Sequence, residues 1–281
     1  MTDPITAAIL GIVEGITEFL PVSSTGHLLI TERLLFSGKD PAWVDDMFNV
    51  VIQTGAVLAV IPLFHKRFHQ FIFNWKDKAV MSYFLKIVLA FFITGAGGFI
   101  MEKKGFKLPE ELTPVAIALL AGGIAFLVVE RLLVSRTGGG DKTPEESVSD
   151  VTWTVAIAVG IGQLIAAGFP GASRSGTTII FALLLGLGRP LATEYSFLVS
   201  IPTMLAAGGY KIFKAVHHPE AGAAPENWSM VILATIIAAI VSFVAVKWLL
   251  RYVQSHTFNA FGIYRVLIGG GLLAALAAHV L

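Results

Sequence analysis

Two short stretches concentrate side chains capable of chemistry inside otherwise apolar sequence: EGITEFLPVSSTGH at 14–27 and PGASRSGTT at 170–178. Glu14 and Glu18 are four apart, so on a helix they share one face. Two bare carboxylates there would repel, and each is costly in lipid. A divalent cation, Mg²⁺ or Ca²⁺, prefers oxygen ligands and resolves both problems, with Glu14 and Glu18 as the metal-binding pair. The plainer alternative is one protonated acid bonded to its neighbour. Pro21 ends the first half-helix, and Ser23, Ser24 and Thr25 fall where the next begins. One such hydroxyl can cap free N–H groups, but three beside a helix N-terminus make an anion site suited to phosphate. His27 follows on the first turn, near a hydroxyl and paired carboxylates, where it can act as general base, acid or nucleophile.

The second stretch supplies Ser173, Arg174, Ser175, Thr177 and Thr178. The planar fork of Arg174 suits a phosphate bidentately; a salt bridge to Glu14 or Glu18 is the alternative. The two stretches align at a constant offset of 149 without a gap. Gly11/Gly160, Ile12/Ile161, Ile16/Ile165, Pro21/Pro170, Ser24/Ser173 and Ile30/Ile179 are then identical. In this register Glu14 meets Gln163, Glu18 meets Ala167, His27 meets Gly176, and Arg174 meets Thr25. Acids and nucleophile belong to one stretch and the cationic clamp to the other.

The elements that must position them are membrane elements. Of 281 residues, 55% are hydrophobic and 14% charged, against roughly 25% charged in soluble domains, and the mean hydropathy is +0.77. This composition is that of a polytopic membrane protein. A net charge of +1 gives no electrostatic case for nucleic acid, and without cysteine there are no disulfides or thiolate metal sites. The start lacks a basic region and is interrupted by Glu14 and Glu18, which is unlike a cleavable signal peptide. Six stretches are long enough to cross a bilayer: 47–65, 82–100, 113–134, 194–214, 229–250 and 258–280. Regions 5–36 and 152–188 are instead apolar stretches broken by Pro, Gly and Ser, expected as half-helices that enter and leave on one side.

The expected fold is therefore an all-α polytopic membrane protein of two repeats, 1–149 and 150–281, forming a single integral membrane domain. Each repeat holds a re-entrant broken pair plus three transmembrane helices, and three being odd, the second repeat is inverted. Such repeats place their site near the midplane at their interface. Inner loops would hold Lys66, Arg67, Lys76, Lys78, Arg131, Arg136, Lys142, Arg189, Lys247 and Arg251. Outer loops would hold Arg33, Lys39, Lys103, Lys104, Lys107, Lys211 and Lys214, which puts both termini outside the cytoplasm. Among the remaining polar residues, Lys86, Glu130, Glu194 and Arg265 lie within or near crossings. Arg265 is a candidate second cation for the cavity, and Glu194 with Arg189 a helix-entry pair. Trp43, Trp75, Trp153, Trp228 and Trp248 read as interfacial anchors, and 65–78 as a basic interfacial loop touching anionic lipid.

Both motifs, their spacing, ATEYSF at 192–197 and GIYR at 262–265 together resemble the undecaprenyl-diphosphatase family, integral membrane enzymes associated with bacitracin resistance. The resemblance spans nearly the whole chain. It implies hydrolysis of undecaprenyl diphosphate to the monophosphate, which recycles the lipid carrier of peptidoglycan synthesis, with dependence on a divalent cation. It also implies a bacterial cytoplasmic membrane location with the site open to the periplasmic or extracellular face. By position, the acidic pair is Glu14 and Glu18, the reactive pair Ser24 and His27, and the phosphate-binding arginine Arg174. Ser23, Thr25, Ser173, Ser175 and Thr178 complete the phosphate-binding set. Attack by Ser24 with His27 as base is expected, with direct attack by His27 as the rival. The expected partners are the lipid substrate and membrane lipid, with no nucleic acid; a homodimer is left open. Because inverted repeats and broken helices are typical of carriers, a lipid-phosphate flippase, alone or combined with hydrolysis, is the competing function. A carrier, however, needs no nucleophile beside a base.

Overall fold

The computed structural model describes residues 3–36, 41, 43–105, 111–137, 147–217 and 227–278. Lys39, Lys107, Lys142 and residues 138–146 of the polar linker lie outside them. Among the described residues every regular element is helical. The first half runs α1 (Asp3–Thr17), α2 (Ser24–Phe36), α3 (Asp46–Val60), α4 (His65–Phe73), α5 (Lys78–Lys103) and α6 (Leu112–Thr137). The second runs α7 (Trp153–Gly168), α8 (Arg174–Leu184), α9 (Arg189–His217), α10 (Trp228–Tyr252) and α11 (Asn259–Ala277).

Six helical stretches are long and apolar enough to cross a membrane, at 47–73, 78–103, 112–135, 189–217, 228–252 and 259–277. The first of these joins α3 to α4 through a 3₁₀ turn that carries Pro62. The interrupted elements are shorter. α1 and α2 have 15 and 13 residues, α7 and α8 have 16 and 11. At 1.5 Å per residue none reaches ~25 Å, short of a ~30 Å hydrocarbon core.

Each interrupted pair leans on the opposite half of the chain. α1 packs along α10 and α7 along α5, while α6 pairs with α11 and α3 with both α9 and α10. Glycines permit the approach: a Cβ on Gly11 would lie 2.6 Å from the Ala234 carbonyl oxygen, and one on Gly15 2.7 Å from that of Ala238. On the other side, a Cβ on Gly160 would lie 3.1 Å from the Ala90 oxygen. Phe19 at the first break meets Phe197 of α9 edge-on at 5.0 Å, which seats the break in the main apolar core.

Several expectations need correction. Trp43 is buried, edge-on to Phe48 at 5.3 Å, so it is a core residue and not an interfacial anchor. The other four tryptophans are exposed. Arg189 pairs with Glu130 at 2.6 Å, not with Glu194. Glu130 also accepts the Phe258 N–H at 2.8 Å, just ahead of α11. Glu194 instead binds Arg67 at 2.7 Å and accepts from the Tyr83 hydroxyl at 3.3 Å. The 65–78 stretch is mostly helix, as α4, and Arg67 in it is held by protein.

Candidate active site

Proline starts the first break. It disfavours helical backbone at Leu20, and the chain turns tightly, Val22 N–H to Leu20 oxygen at 2.7 Å. Ser23 then adopts φ +76°, a left-handed conformation uncommon for a residue with a side chain. From there its Oγ accepts the Gly26 N–H at 3.3 Å and caps α2. The second break repeats this one step differently. Gly171 has φ +94° and Ser173 φ +69°, and the Ser173 Oγ accepts the Gly176 N–H at 3.1 Å, capping α8. Capping thus equates Ser23 with Ser173, Ser24 with Arg174 and His27 with Thr177, an offset of 150. Gly11 and Gly160, each seated on the neighbouring long helix, keep the offset of 149. The gapless alignment therefore fails at the break, where the second half carries one extra residue.

The two breaks meet. Glu18, almost fully buried, accepts the Ser24 hydroxyl on Oε2 and takes Arg174 Nη2 at 3.1 Å on Oε1, a contact between residues 156 apart in sequence. The same Arg174 nitrogen reaches Gln53 Oε1 of α3 at 3.3 Å. Ser175 ties the breaks a second time, donating to the Leu20 oxygen at 3.1 Å and lying 3.2 Å from the Ser173 hydroxyl. Glu14, one turn before Glu18, is fully buried, and neither carboxylate oxygen has a hydrogen-bond partner.

His27 is placed differently from expectation. Its Nδ1 lies 2.7 Å from the Ser23 carbonyl oxygen and its Nε2 2.7 Å from the Tyr264 hydroxyl. A carbonyl only accepts, so Nδ1 carries the proton. The hydrogen-bond partner of Ser24 is Glu18, and both His27 nitrogens are engaged elsewhere. Thr25 is exposed at the start of α2. Thr177 and Thr178 turn back onto the backbone, Thr177 to the Ala172 oxygen at 3.3 Å and Thr178 to those of Arg174 and Ser175 at 2.9 and 3.1 Å.

Arg265 is not a second cavity cation. It is fully buried and donates to the carbonyl oxygens of Pro21 (3.2 Å), Gly171 (3.1 Å), Ala172 (3.0 Å), Ala118 (3.2 Å) and Leu119 (3.3 Å). It pins both breaks to α6, passing Gly122, where any Cβ would collide with the guanidinium. Gln53, Tyr264 and this role of Arg265 escaped sequence reasoning. The signals were polarity inside apolar stretches and, for Tyr264 and Arg265, the GIYR motif, neither of which assigns a role.

The donor set suits a hard cation. Glu14 offers a carboxylate with no competing partner, and Glu18 stands on the same helical face. Among the described residues no cluster of three or more His, Cys, Asp or Glu forms a closed cage. A cation held by two carboxylates would take its remaining ligands from water and substrate phosphates.

Fold and site together define a polytopic helical membrane protein whose two interrupted helix pairs meet at a buried Glu–Ser–Arg cluster. The family described as "Bacitracin resistance protein BacA" matches residues 7–271, and the chain belongs to it. It is 46% identical over 272 residues to an undecaprenyl-diphosphatase of Rhizobium etli (strain CIAT 652), covering 96% of each chain. It is 47% identical over 279 residues to an undecaprenyl-diphosphatase of Xanthomonas euvesicatoria pv. vesicatoria (strain 85-10), covering 99% of each.

Proposed function

We propose that this protein hydrolyses undecaprenyl diphosphate to undecaprenyl phosphate and inorganic phosphate, returning the lipid carrier to envelope synthesis and conferring bacitracin resistance. The observation that carries this is the contact of Glu18 with both Ser24 and Arg174. The terminal phosphate replaces Glu18 as the partner of Arg174, whose fork holds two of its oxygens. Glu18, released from the cation, becomes the base for the hydroxyl already donating to it. Ser24 Oγ attacks the terminal phosphorus, its proton passes to Glu18, and the bond to the bridging oxygen breaks, so undecaprenyl phosphate departs. Water then attacks the phosphorus of the phosphoserine, and its proton passes to His27 Nε2 as the hydrogen bond from Tyr264 gives way. The P–Oγ bond breaks, Glu18 returns its proton to Ser24 Oγ, and inorganic phosphate leaves. Free N–H groups at the start of α2 and the Thr25 hydroxyl add donors to the phosphate.

Glu14, with the Glu18 oxygen freed from Arg174, would hold a divalent cation, which would supply positive charge against the diphosphate. The lone buried carboxylate of Glu14 supports this assignment. The recurring order of short and long helices, and the reciprocal packing of α1 on α10 and α7 on α5, support two inverted repeats, 1–149 and 150–281. We place the protein in the bacterial cytoplasmic membrane with the site facing outward. A flippase role gains no support, since a carrier requires no hydroxyl donating to a buried carboxylate.

Phosphate release from undecaprenyl diphosphate by the detergent-purified protein, with Mg²⁺ and with chelator, tests the reading. Ser24→Ala is expected to lose roughly 10³-fold or more in kcat while remaining folded. Undiminished turnover by Ser24→Ala, or no release by the wild-type protein, contradicts it.

A further inference from the structure

Tyr264 stands outside the phosphate-handling set, yet its hydroxyl lies 2.7 Å from His27 Nε2, and its ring lies 5.6 Å from the imidazole at an interplanar angle of 7°. It is 40% exposed. Its neighbour on α11, Arg265, is buried and bonded to both breaks. One turn of α11 is therefore fixed relative to the break that carries Ser23 and the first turn of α2 that carries His27. The other ring nitrogen is fixed just as firmly, because the left-handed backbone at Ser23 aims its carbonyl at Nδ1. A histidine donating from Nδ1 presents a lone pair at Nε2, and the group facing that lone pair is the Tyr264 hydroxyl. Packing alone would need the aromatic ring but not the hydroxyl.

We propose that Tyr264 is a positioning residue: its hydroxyl donates to the Nε2 lone pair and, with the Ser23 carbonyl on Nδ1, fixes the orientation of the His27 ring. The inference rests on the phosphatase reading above, and one experiment separates the two. Tyr264→Phe keeps the ring and removes the hydroxyl. ¹⁵N NMR of histidine-labelled protein, with His27 assigned by loss of its signals in His27→Gln, reads the tautomer directly. The wild-type protein should show Nδ1 protonated and Nε2 unprotonated but hydrogen-bonded, and Tyr264→Phe the downfield Nε2 shift of a lone pair that has lost its donor. In parallel, kcat on undecaprenyl diphosphate should fall about tenfold in Tyr264→Phe with KM within about twofold of wild type. Tyr264→Leu, which also loses the stacked ring, should fall further. An unchanged His27 Nε2 shift in Tyr264→Phe, or wild-type kcat in Tyr264→Phe beside a defective Tyr264→Leu, leaves only a packing role and overturns the proposal. If wild type releases no phosphate, the functional reading fails, and the NMR comparison still decides the role of Tyr264.

Discussion

Replacing Arg265 with Met tests whether the two breaks are held by one side chain. Methionine matches the aliphatic stem but removes five N–H···O bonds, three of them to the break carbonyls of Pro21, Gly171 and Ala172. At a net value of about 1 kcal/mol per bond the loss is about 5 kcal/mol. Part of this is offset because a buried guanidinium held by carbonyl oxygens is itself costly to desolvate. A net loss of about 3–5 kcal/mol, at ~2–4 °C per kcal/mol for a chain of this size, lowers the melting temperature by about 10 °C. Catalysis suffers separately. The Glu18–Arg174 contact joins the same two breaks, and a displacement near 1 Å costs about 10²-fold. The assay is thermal unfolding in detergent followed by tryptophan fluorescence, with phosphate release measured well below the melting point. Arg265→Lys, whose single ammonium cannot reproduce the fork, should fall between the two. If Arg265→Met melts within about 2 °C of wild type and turns over within about twofold, the pinning argument is wrong.

Two further outcomes follow from the same geometry. Glu14→Gln keeps the shape and removes a carboxylate ligand, so it should need at least tenfold more Mg²⁺ for half-maximal activity; superimposable Mg²⁺ titrations would remove Glu14 from the metal site. Gly15→Val places a Cβ 2.7 Å from the Ala238 oxygen, so α1 must move off α10 at a cost of about 1–3 kcal/mol. Gly98→Val, where a Cβ meets nothing within 4 Å, is the control, and equal melting of the two variants would refute close α1–α10 packing.

The long crossings were legible because a run of about 20 apolar residues has few alternatives in water or lipid. The expected 113–134 and 229–250 correspond to Leu112–Ser135 and Trp228–Tyr252. Partners were less legible. Glu194 lies near Arg189 in sequence, yet Arg189 binds Glu130, 59 residues away, because packing decides which charges meet. Residue type alone also misplaced Trp43, since an indole suits core and interface equally. In the site, an arginine at membrane depth demands a counterion, which made contact between Arg174 and an N-terminal glutamate readable in advance. Gln53 and Tyr264 are uncharged, need no counterion, and gave no comparable signal.

The one-residue difference between the breaks carries a structural consequence that alignment by identity obscures. On a helix one residue is a rotation of about 100°, so the register decides which side chains are opposed. An offset of 149 sets Arg174 against Thr25, which is exposed. An offset of 150 sets it against Ser24, and these two are the first residues of α8 and α2. Each directly follows a capping serine of positive φ, a conformation costing about 1–3 kcal/mol and kept only where the surroundings enforce it. Ser24 and Arg174 are therefore one structural position used twice, facing each other across Glu18. The extra residue has a place of its own. Gly171 at φ +94° has room for no side chain, since a Cβ there would lie 2.5 Å from the Val115 oxygen. Its carbonyl and that of Ala172 both reach Arg265, where the first break offers Pro21 alone. The longer break thus supplies the additional acceptor that lets one buried arginine fasten both halves of the site.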